Sequence, residues 1–364
     1  MTEKLLEQIE TLPGPVRGLL WIAAGLYGGA LALRGQAYAR GLWRRHRLPC
    51  TVVSVGNLSV GGTGKTPLVA ELARRLQAWG RRPAILIRGY RGRGRGERVV
   101  SDGRVVRLGV EDAGDEPVLL ARLLSGVPVV AGADRARAGR LAHAELGADV
   151  LLLDDGFQHL ALVRDLDLVT VDAGRGFSNG RLLPLGPLRE RLNALRRADA
   201  IVLTKISEGM ALGPLEAQIR RICPEAPLLH ARLTPTALVS LSEAAPLDLE
   251  RLRGMRVLAV CGIASPASFF SLLEACGARV VDRWAFPDHH RFRPAERARL
   301  VERARTVDLA VTTEKDAVRL GTLSAADGAW CALAIRLQVQ EAEALDDLLA
   351  KCLSSGPCAS SVNT

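Results

Sequence analysis

Aromatic side chains are scarce in this chain, at 4% of 364 residues, and methionine occurs three times. The core must therefore come from leucine, valine and alanine, within an apolar fraction of 48%. The length allows two domains of ordinary size. The seven cysteines include no C-x-x-C pair, and their number is odd. Neither a disulfide framework nor a cysteine-built zinc site is indicated, and a reducing cytoplasm fits best. Internal repeats and long low-complexity tracts are also missing. Lysine is limited to Lys4, Lys65, Lys205, Lys315 and Lys351, so the net charge of +10 rests mostly on arginine. In such a chain, a lysine inside a phosphate loop points to a need for a compact ammonium. Lys4 and Lys351, at the two ends, have no comparable task. A basic balance fits either nucleic acid or an anionic membrane.

The N-terminus bears on that choice. Residues 2–12 (TEKLLEQIETL) predict a short amphipathic helix that stops at Pro13-Gly14-Pro15. Residues 18–33 (GLLWIAAGLYGGALAL) then carry no charge. A bilayer-crossing helix needs about twenty apolar residues, and this run is shorter. Its distance from Met1 and the lack of a small-residue cleavage site argue against a signal peptide. Arg34, Arg40, Arg44, Arg45 and Arg47 follow, with Trp43 among them. An apolar helix ahead of a basic cluster predicts insertion into, or lying on, an anionic cytoplasmic leaflet. The competing reading is a buried core helix.

The strongest pattern is at 54–75 (SVGNLSVGGTGKTPLVAELARR). A β-branched run at 50–55 precedes it, and Leu68, Val69, Leu72, Ala73 and Leu76 have helical spacing after it. Strand, glycine-rich turn and helix are the context of a phosphate-binding loop. Backbone N–H groups of Ser59, Val60, Gly61, Gly62, Thr63, Gly64, Lys65 and Thr66 would cradle phosphate oxygens at a helix N-terminus. Lys65 reaches the β/γ-phosphates, and Thr66 offers its hydroxyl to Mg²⁺. Ser59 departs from the general pattern, which has glycine there. Gly61 and Gly62 still allow close backbone approach.

A second pattern is at 150–155 (VLLLDD): an apolar strand ending in Asp154 and Asp155. Such a pair is the usual partner of a phosphate loop, holding Mg²⁺ directly or through water. Between the two patterns, 83–88 predicts a strand, 99–106 a hairpin on an Asp-Gly turn, and 114–124 a helix. Taken alone, Asp115 and Glu116 read as first-turn acids of that helix. Residues 88–96 (RGYRGRGRG) resemble an arginine-glycine nucleic-acid segment, but so short a run between strands reads better as a loop near phosphates. Strand 127–131, helix 134–146 and strands 166–171 and 200–203 follow, and 179–190 predicts a loop that packs or binds. A proline-bearing stretch at 224–246 marks a boundary. Beyond it a smaller α/β alternation runs through strands 256–260, 278–284, 309–312 and 330–337, with helices 266–276, 294–306 and 315–320 between them. The expected fold is α/β: a P-loop NTPase-type three-layer sandwich, a second smaller α/β domain, and an N-terminal apolar membrane-associating helix. Expected limits are 1–47, 48–230 and 231–364.

With these segments in view, the chain resembles the lipid A 4'-kinase (tetraacyldisaccharide 4'-kinase) family. The resemblance rests on SVGNLSVGGTGKTP at 54–67, RGY at 88–90, GDEP at 114–117 and LDDGFQH at 153–159. It continues with LLPLGPLRE at 182–190, CGIASP at 261–266, FPDHH at 286–290 and TTEKDAVRL at 312–320. Ser59 is normal for this family. The resemblance implies transfer of the ATP γ-phosphoryl group to the 4'-hydroxyl of a tetraacylated glucosamine disaccharide 1-phosphate, giving lipid IVA. It also implies ATP and Mg²⁺ as cofactors, a cleft between two domains, and work at the cytoplasmic face of the bacterial inner membrane. By the same resemblance Asp115, paired with His289, accepts the hydroxyl proton, with His290 as the alternative histidine. Thr66, Glu116, Asp154 and Asp155 form the metal set, and which of the two aspartates touches the metal is left open. The partners implied are the acylated disaccharide and the anionic membrane surface; no nucleic acid and no protein partner is inferred.

Two rivals come from other classes. One is a P-loop ATPase switch of the partitioning or maturation type, which usually has a lysine just before the glycine pair, where this chain has Val60. The other is a basic nucleic-acid-binding NTPase, which steeply salt-dependent binding to mixed-sequence DNA or RNA would mark.

Overall fold

The structure is a computed structural model and describes residues 11–355 except 91, 244 and 322. All but the last two residues of the helix expected at 2–12 lie outside the described residues.

Strands β1 (Thr51–Gly56), β2 (Pro83–Ile87), β3 (Arg98–Asp102), β4 (Pro128–Ala131), β5 (Val150–Asp154), β6 (Leu166–Asp172) and β7 (Ala200–Thr204) build the first lobe. Their order in the sheet is β7-β6-β1-β5-β2-β4-β3, parallel except at β3. Strands β1, β2, β5, β6 and β7 are buried along their whole length, which is why they read as continuous apolar runs. Helix α1 (Gly14–Ala39) precedes this sheet, and α2 (Lys65–Ala78) connects β1 to β2. A one-turn helix α3 (Val110–Ala113) leads into α4 (Asp115–Leu123), and α5 (Arg135–Leu146) precedes β5. Helices α2 and α4 cover one face of the sheet, and α5 covers the other. Leu68, Val69, Leu72, Ala73 and Leu76 of α2 are all fully buried. Truncating Leu72 to alanine there would cost about 2–5 kcal/mol in lost burial and cavity. The hairpin expected at 99–106 shrinks to one bridge, Ser101 with Val106, because the Asp102 carboxylate takes the N–H groups of Arg104 and Val105 into a tight turn.

After α6 (Gly213–Ile222), β8 (Leu228–Ser240) joins the two halves. Its first residues pair in parallel with β7, and Ala231 to Ser240 pair antiparallel with β13 (Trp330–Val339). The stretch read as a proline-bearing boundary therefore holds the longest strand of the fold. Pro235 sits where the register with β13 shifts, the place in a ladder where a residue without an N–H is tolerated. Short β9 (Pro246–Leu247) pairs with β8, and β10 (Arg256–Cys261), β11 (Arg279–Ala285) and β12 (Leu309–Thr313) complete the order β11-β10-β12-β13-β8. Helices α7 (Pro266–Ala275) and α8 (Pro294–Ala304) cover opposite faces of this second lobe. Helix α9 (Glu314–Leu320) follows β12 directly. The last helix, α10 (Ala342–Ser355), returns to the first lobe, where Leu345 and Leu349 enter the core around α2.

Helix α1 is 26 residues long, and only Ala24 and Gly28 are buried along it. That excludes a core helix. Leu19, Ile22, Leu26 and Leu33 are exposed at spacings that place them on one side. The opposite side is docked. A Cβ at Gly28 would sit 2.9 Å from Leu182 Cδ1, the Tyr27 hydroxyl donates to the Arg189 carbonyl at 3.0 Å, and Arg34 Nη2 donates to the Gln158 carbonyl at 2.7 Å.

Candidate active site

The loop after β1 is held from several sides. Ser59 bridges to Leu188, and the Val60 N–H donates to the Pro187 carbonyl at 2.8 Å. Strand-like pairing at that first position explains why serine serves where the general pattern has glycine. Gly61 (φ 112°) and Gly64 (φ 82°) lie in the left-handed region, and a Cβ at Gly64 would stand 3.2 Å from Thr204. Thr63 Oγ1 accepts from Asn57 Nδ2 at 2.9 Å, and its carbonyl accepts from Thr204 Oγ1 at 2.7 Å. Lys205 donates to the Gly62 carbonyl and, at 2.8 Å, to Asp172 Oδ2. The loop is thereby set before Lys65 and Thr66 open α2, where unpaired N–H groups and the helix dipole favour an anion.

The two aspartates after β5 part company. Asp155 has left-handed backbone (φ 60°); its Oδ1 meets Lys65 Nζ at 3.6 Å, and Oδ1 and Oδ2 accept from Arg189 Nη1 at 2.9 and 2.7 Å. Burial opposes charge on Asp155, yet Lys65 and Arg189 hold it below the usual carboxylate range. Asp154 is 2% exposed. Its Oδ2 accepts from Thr66 Oγ1 at 3.0 Å, and its Oδ1 has no hydrogen-bond partner among the described residues. Burial, then the nearby Glu116 charge, pushes Asp154 well above the usual range. A buried carboxylate oxygen without a donor, beside a threonine hydroxyl at a phosphate loop, has the chemistry to take Mg²⁺. Among the described residues no group of three His, Cys, Asp or Glu side chains could hold a metal ion by itself. That suits Mg²⁺, which usually shares its shell between one or two carboxylates, phosphates and water. Arg135 lies buried behind the pair, with Nη2 3.5 Å from the Asp154 carbonyl, and burial pushes it down to about 10.

Asp115 opens α4 after Gly114, whose φ of 92° and approach to the Tyr90 carbonyl leave no room for a Cβ. Its Oδ1 accepts from the Glu116 N–H at 3.1 Å. Its Oδ2 meets three second-lobe nitrogens: His289 Nδ1 at 2.7 Å, Arg319 Nη2 at 2.5 Å and Arg319 Nε at 2.9 Å. Burial opposes ionisation, but His289, Arg319 and Lys315 together hold Asp115 well below the usual carboxylate range. His289 (φ 61°) is anchored through its N–H to the Gly262 carbonyl at 3.2 Å. His290 is turned elsewhere: Nε2 lies 2.9 Å from Glu296, and the ring stacks on Phe286 at 4.7 Å. Lys315 Nζ lies 3.0 Å from His289 Nε2, 3.5 Å from Asp288 and 3.8 Å from Glu116.

Of the residues expected from sequence, Lys65, Thr66, Asp154 and Asp155 gather at the loop, and Asp115 meets His289. Glu116 stands between, reaching Lys315 and acting on Asp154. Arg189, Lys205, Lys315 and Arg319 were missed. Two of them are lysines in a chain with five, so the scarcity that singled out Lys65 applied to Lys205 and Lys315 as well.

The family model described as Tetraacyldisaccharide-1-P 4'-kinase (LpxK) matches residues 16–354. A tetraacyldisaccharide 4'-kinase of Anaeromyxobacter sp. (strain Fw109-5) is 46% identical over 339 residues, covering 92% of this chain and 90% of that one. One of Syntrophus aciditrophicus (strain SB) is 40% identical, covering 94% and 96%. Among solved structures, LpxK from Aquifex aeolicus in complex with ATP superposes with a TM-score of 0.76 at 32% identity, covering 93% of this chain and 99% of that one. Sequence, family model and fold agree over nearly the whole length, and the chain belongs to the tetraacyldisaccharide-1-P 4'-kinase family.

Proposed function

We infer that the chain transfers the γ-phosphoryl group of ATP to the 4'-hydroxyl of a tetraacyldisaccharide 1-phosphate, forming lipid IVA, and we propose that Lys65, Asp115 and His289 carry the chemistry. The observation that bears most on the roles is the contact between Asp115 of the first lobe and His289 of the second. It holds an ionised carboxylate of the lobe that carries the lysine-bearing phosphate loop against an imidazole from the other lobe, so that a proton acceptor and a triphosphate site share one lobe.

Phosphoryl transfer is mostly positioning and charge neutralisation. Loop amides 59–66 and the N-terminus of α2 would hold the phosphates, and Lys65 would offset charge on the γ-phosphoryl group. Thr66 and Asp154 would hold Mg²⁺, which supplies charge neutralisation at the phosphate oxygens. Asp155 is engaged by Lys65 and Arg189, and Glu116 by Lys315, so both act on the same charges from behind. As the new O–P bond forms, the hydroxyl proton passes to Asp115 and ADP departs with the electrons of the broken P–O bond. The depressed basicity of Asp115 is compatible with this, because a loose transition state releases the proton late.

Membrane association fits the exposed apolar side of α1, and we propose that it is on the cytoplasmic face. Arg40 and Arg44 lie exposed beyond that helix, available to an anionic leaflet, while Arg45 and Arg47 also contact Leu160 and Asp165. The test is to incubate the purified protein with Mg-ATP and a tetraacyl disaccharide 1-phosphate and follow the lipid by mass spectrometry. Gain of one phosphoryl group at the 4' position is expected. ATP hydrolysis with an unmodified lipid would turn the reading toward an ATPase switch.

A further inference from the structure

Lys315 and Arg319 are four residues apart on α9, so one face of that helix presents both to Asp115 and His289. Arg319 is 4% exposed at its side chain and is fixed before it reaches the first lobe. Its Nη1 donates to Asp316 Oδ1 at 2.8 Å and to the Gly262 carbonyl at 3.0 Å. Asp316 is itself fully buried and accepts from the Gly262 N–H and the Thr313 hydroxyl. The remaining donors of the guanidinium, Nε and Nη2, both grip one oxygen of Asp115, Oδ2. The carboxylate is thereby oriented: Oδ2 belongs to the second lobe, and Oδ1 remains on the first-lobe side beside the Glu116 amide.

The imidazole is constrained in the same way. A lysine ammonium has donors and no lone pair, so its approach to His289 Nε2 at 3.0 Å requires that nitrogen to be bare. The ring proton is then on Nδ1, pointing at Asp115 Oδ2 at 2.7 Å; Arg319 Nη2 also stands near that nitrogen, but at 3.4 Å, with its short contact made to Asp115 instead. Lys315 is steered into this place by Asp288 and Glu116. We propose that Lys315 and Arg319 are positioning residues of the phosphoryl-transfer site: Arg319 aims the Asp115 carboxylate, and Lys315 fixes His289 as the neutral tautomer protonated at Nδ1. With Nδ1 already protonated and Nε2 occupied by the ammonium, His289 has no site for the hydroxyl proton. It orients Asp115, and the proton goes to Asp115 Oδ1. The inference rests on the reading of Asp115 as proton acceptor given above.

The test combines imidazole ¹⁵N spectroscopy with kinetics on the full chain. Lys315→Met removes the ammonium at a partly exposed position and keeps the stem. In the unsubstituted protein His289 should show a protonated Nδ1 and a bare Nε2. In Lys315→Met that pattern should mix or reverse. The same variant should lose about 10- to 100-fold in kcat, the scale set by misplacing a reacting group. KM for ATP should change by less than about threefold, since uniform binding is untouched. Lys315→Arg, which keeps a donor at Nε2, should restore the Nδ1–H pattern and part of kcat. An unchanged imidazole spectrum in Lys315→Met overturns the proposal, and so does a changed spectrum with unchanged kcat. Near-normal turnover of Asp115→Asn would instead overturn the reading of Asp115 beneath it, and the His289 spectrum distinguishes the two failures.

Discussion

His289 Nδ1 lies 2.7 Å from Asp115 Oδ2, and 174 positions of chain separate the two. The pair exists only while the second lobe rests on the first. Asparagine at position 289 keeps a donor of similar reach but loses the ring that Lys315 and Asp115 hold between them. His289→Asn should lower kcat by about 10- to 100-fold, the cost of letting the Asp115 carboxylate lose its orientation. ATP affinity, measured by calorimetry, should stay within about threefold, because the phosphate loop lies on the other lobe.

Asp154 carries a cost that bound metal would relieve. Its native carboxyl is raised, so the folded state binds that proton more tightly than the unfolded chain does. The stability tied to this group is therefore highest at low pH and falls as pH rises from the ordinary carboxylate value toward the raised one. Mg-ATP should raise the melting temperature more at pH 8 than at pH 6. Asp154→Asn, which removes a negative charge that burial and Glu116 disfavour, should stabilise the protein without ligand and abolish Mg-ATP turnover. A destabilised variant, or equal Mg-ATP effects at both pH values, would argue against Asp154 as the metal carboxylate.

Much of this was legible in the sequence, for definite reasons. The phosphate loop and the strand ending in Asp154 and Asp155 combine a local motif with a fully buried parallel strand, and both leave strong patterns. Strand β8 left none, because Pro235 and a register shift break its alternation, and because its two ends pair with different strands. Asp115 looked like a helix-start acid, and in the structure it does open α4. Only tertiary contact separates that from a functional role: Arg319 arrives from 204 positions away. The sequence favours His289 over His290 only by its place directly after Asp288, and nothing local says what each ring meets. His290 is committed to Glu296 at the start of α8, a contact of sequence separation six that became visible once α8 was placed.

His230 joins the lobes through two carboxylates. Its Nδ1 lies 2.7 Å from Glu341 and its Nε2 2.8 Å from Glu216, so both contacts are hydrogen bonds only when the ring is doubly protonated. Burial works against the charge, but the hydrogen bonds to Glu216 and Glu341 outweigh it and raise the histidine above its usual value. The stabilisation is complete below the unfolded-state value of about 6.5 and is lost as pH rises through the raised native value. The melting temperature should fall between pH 6.5 and 8.5 more steeply in the unsubstituted protein than in His230→Gln. Parallel curves would show that the charge contributes nothing.

Helix α1 has two sides with separable tasks. Replacing Leu19, Ile22 and Leu26 together by serine removes exposed apolar area only, and should reduce retention on anionic liposomes while ATP binding is unchanged. Tyr27→Phe deletes the hydrogen bond to the Arg189 carbonyl, on the side that faces the Asp155 contact. It should leave retention intact and lower turnover by about 3- to 10-fold, the equivalent of one ordinary hydrogen bond. Equal effects of both changes on retention would remove the distinction.

The central claim is that the sugar hydroxyl loses its proton to Asp115 as it takes the phosphoryl group. Rapid-quench measurement of the first turnover, with Mg-ATP and tetraacyl disaccharide 1-phosphate at saturation, tests it most directly in Asp115→Asn. The account predicts a transfer step slowed by about 10²- to 10⁴-fold with the triphosphate still bound. A first turnover at the unsubstituted rate would contradict it.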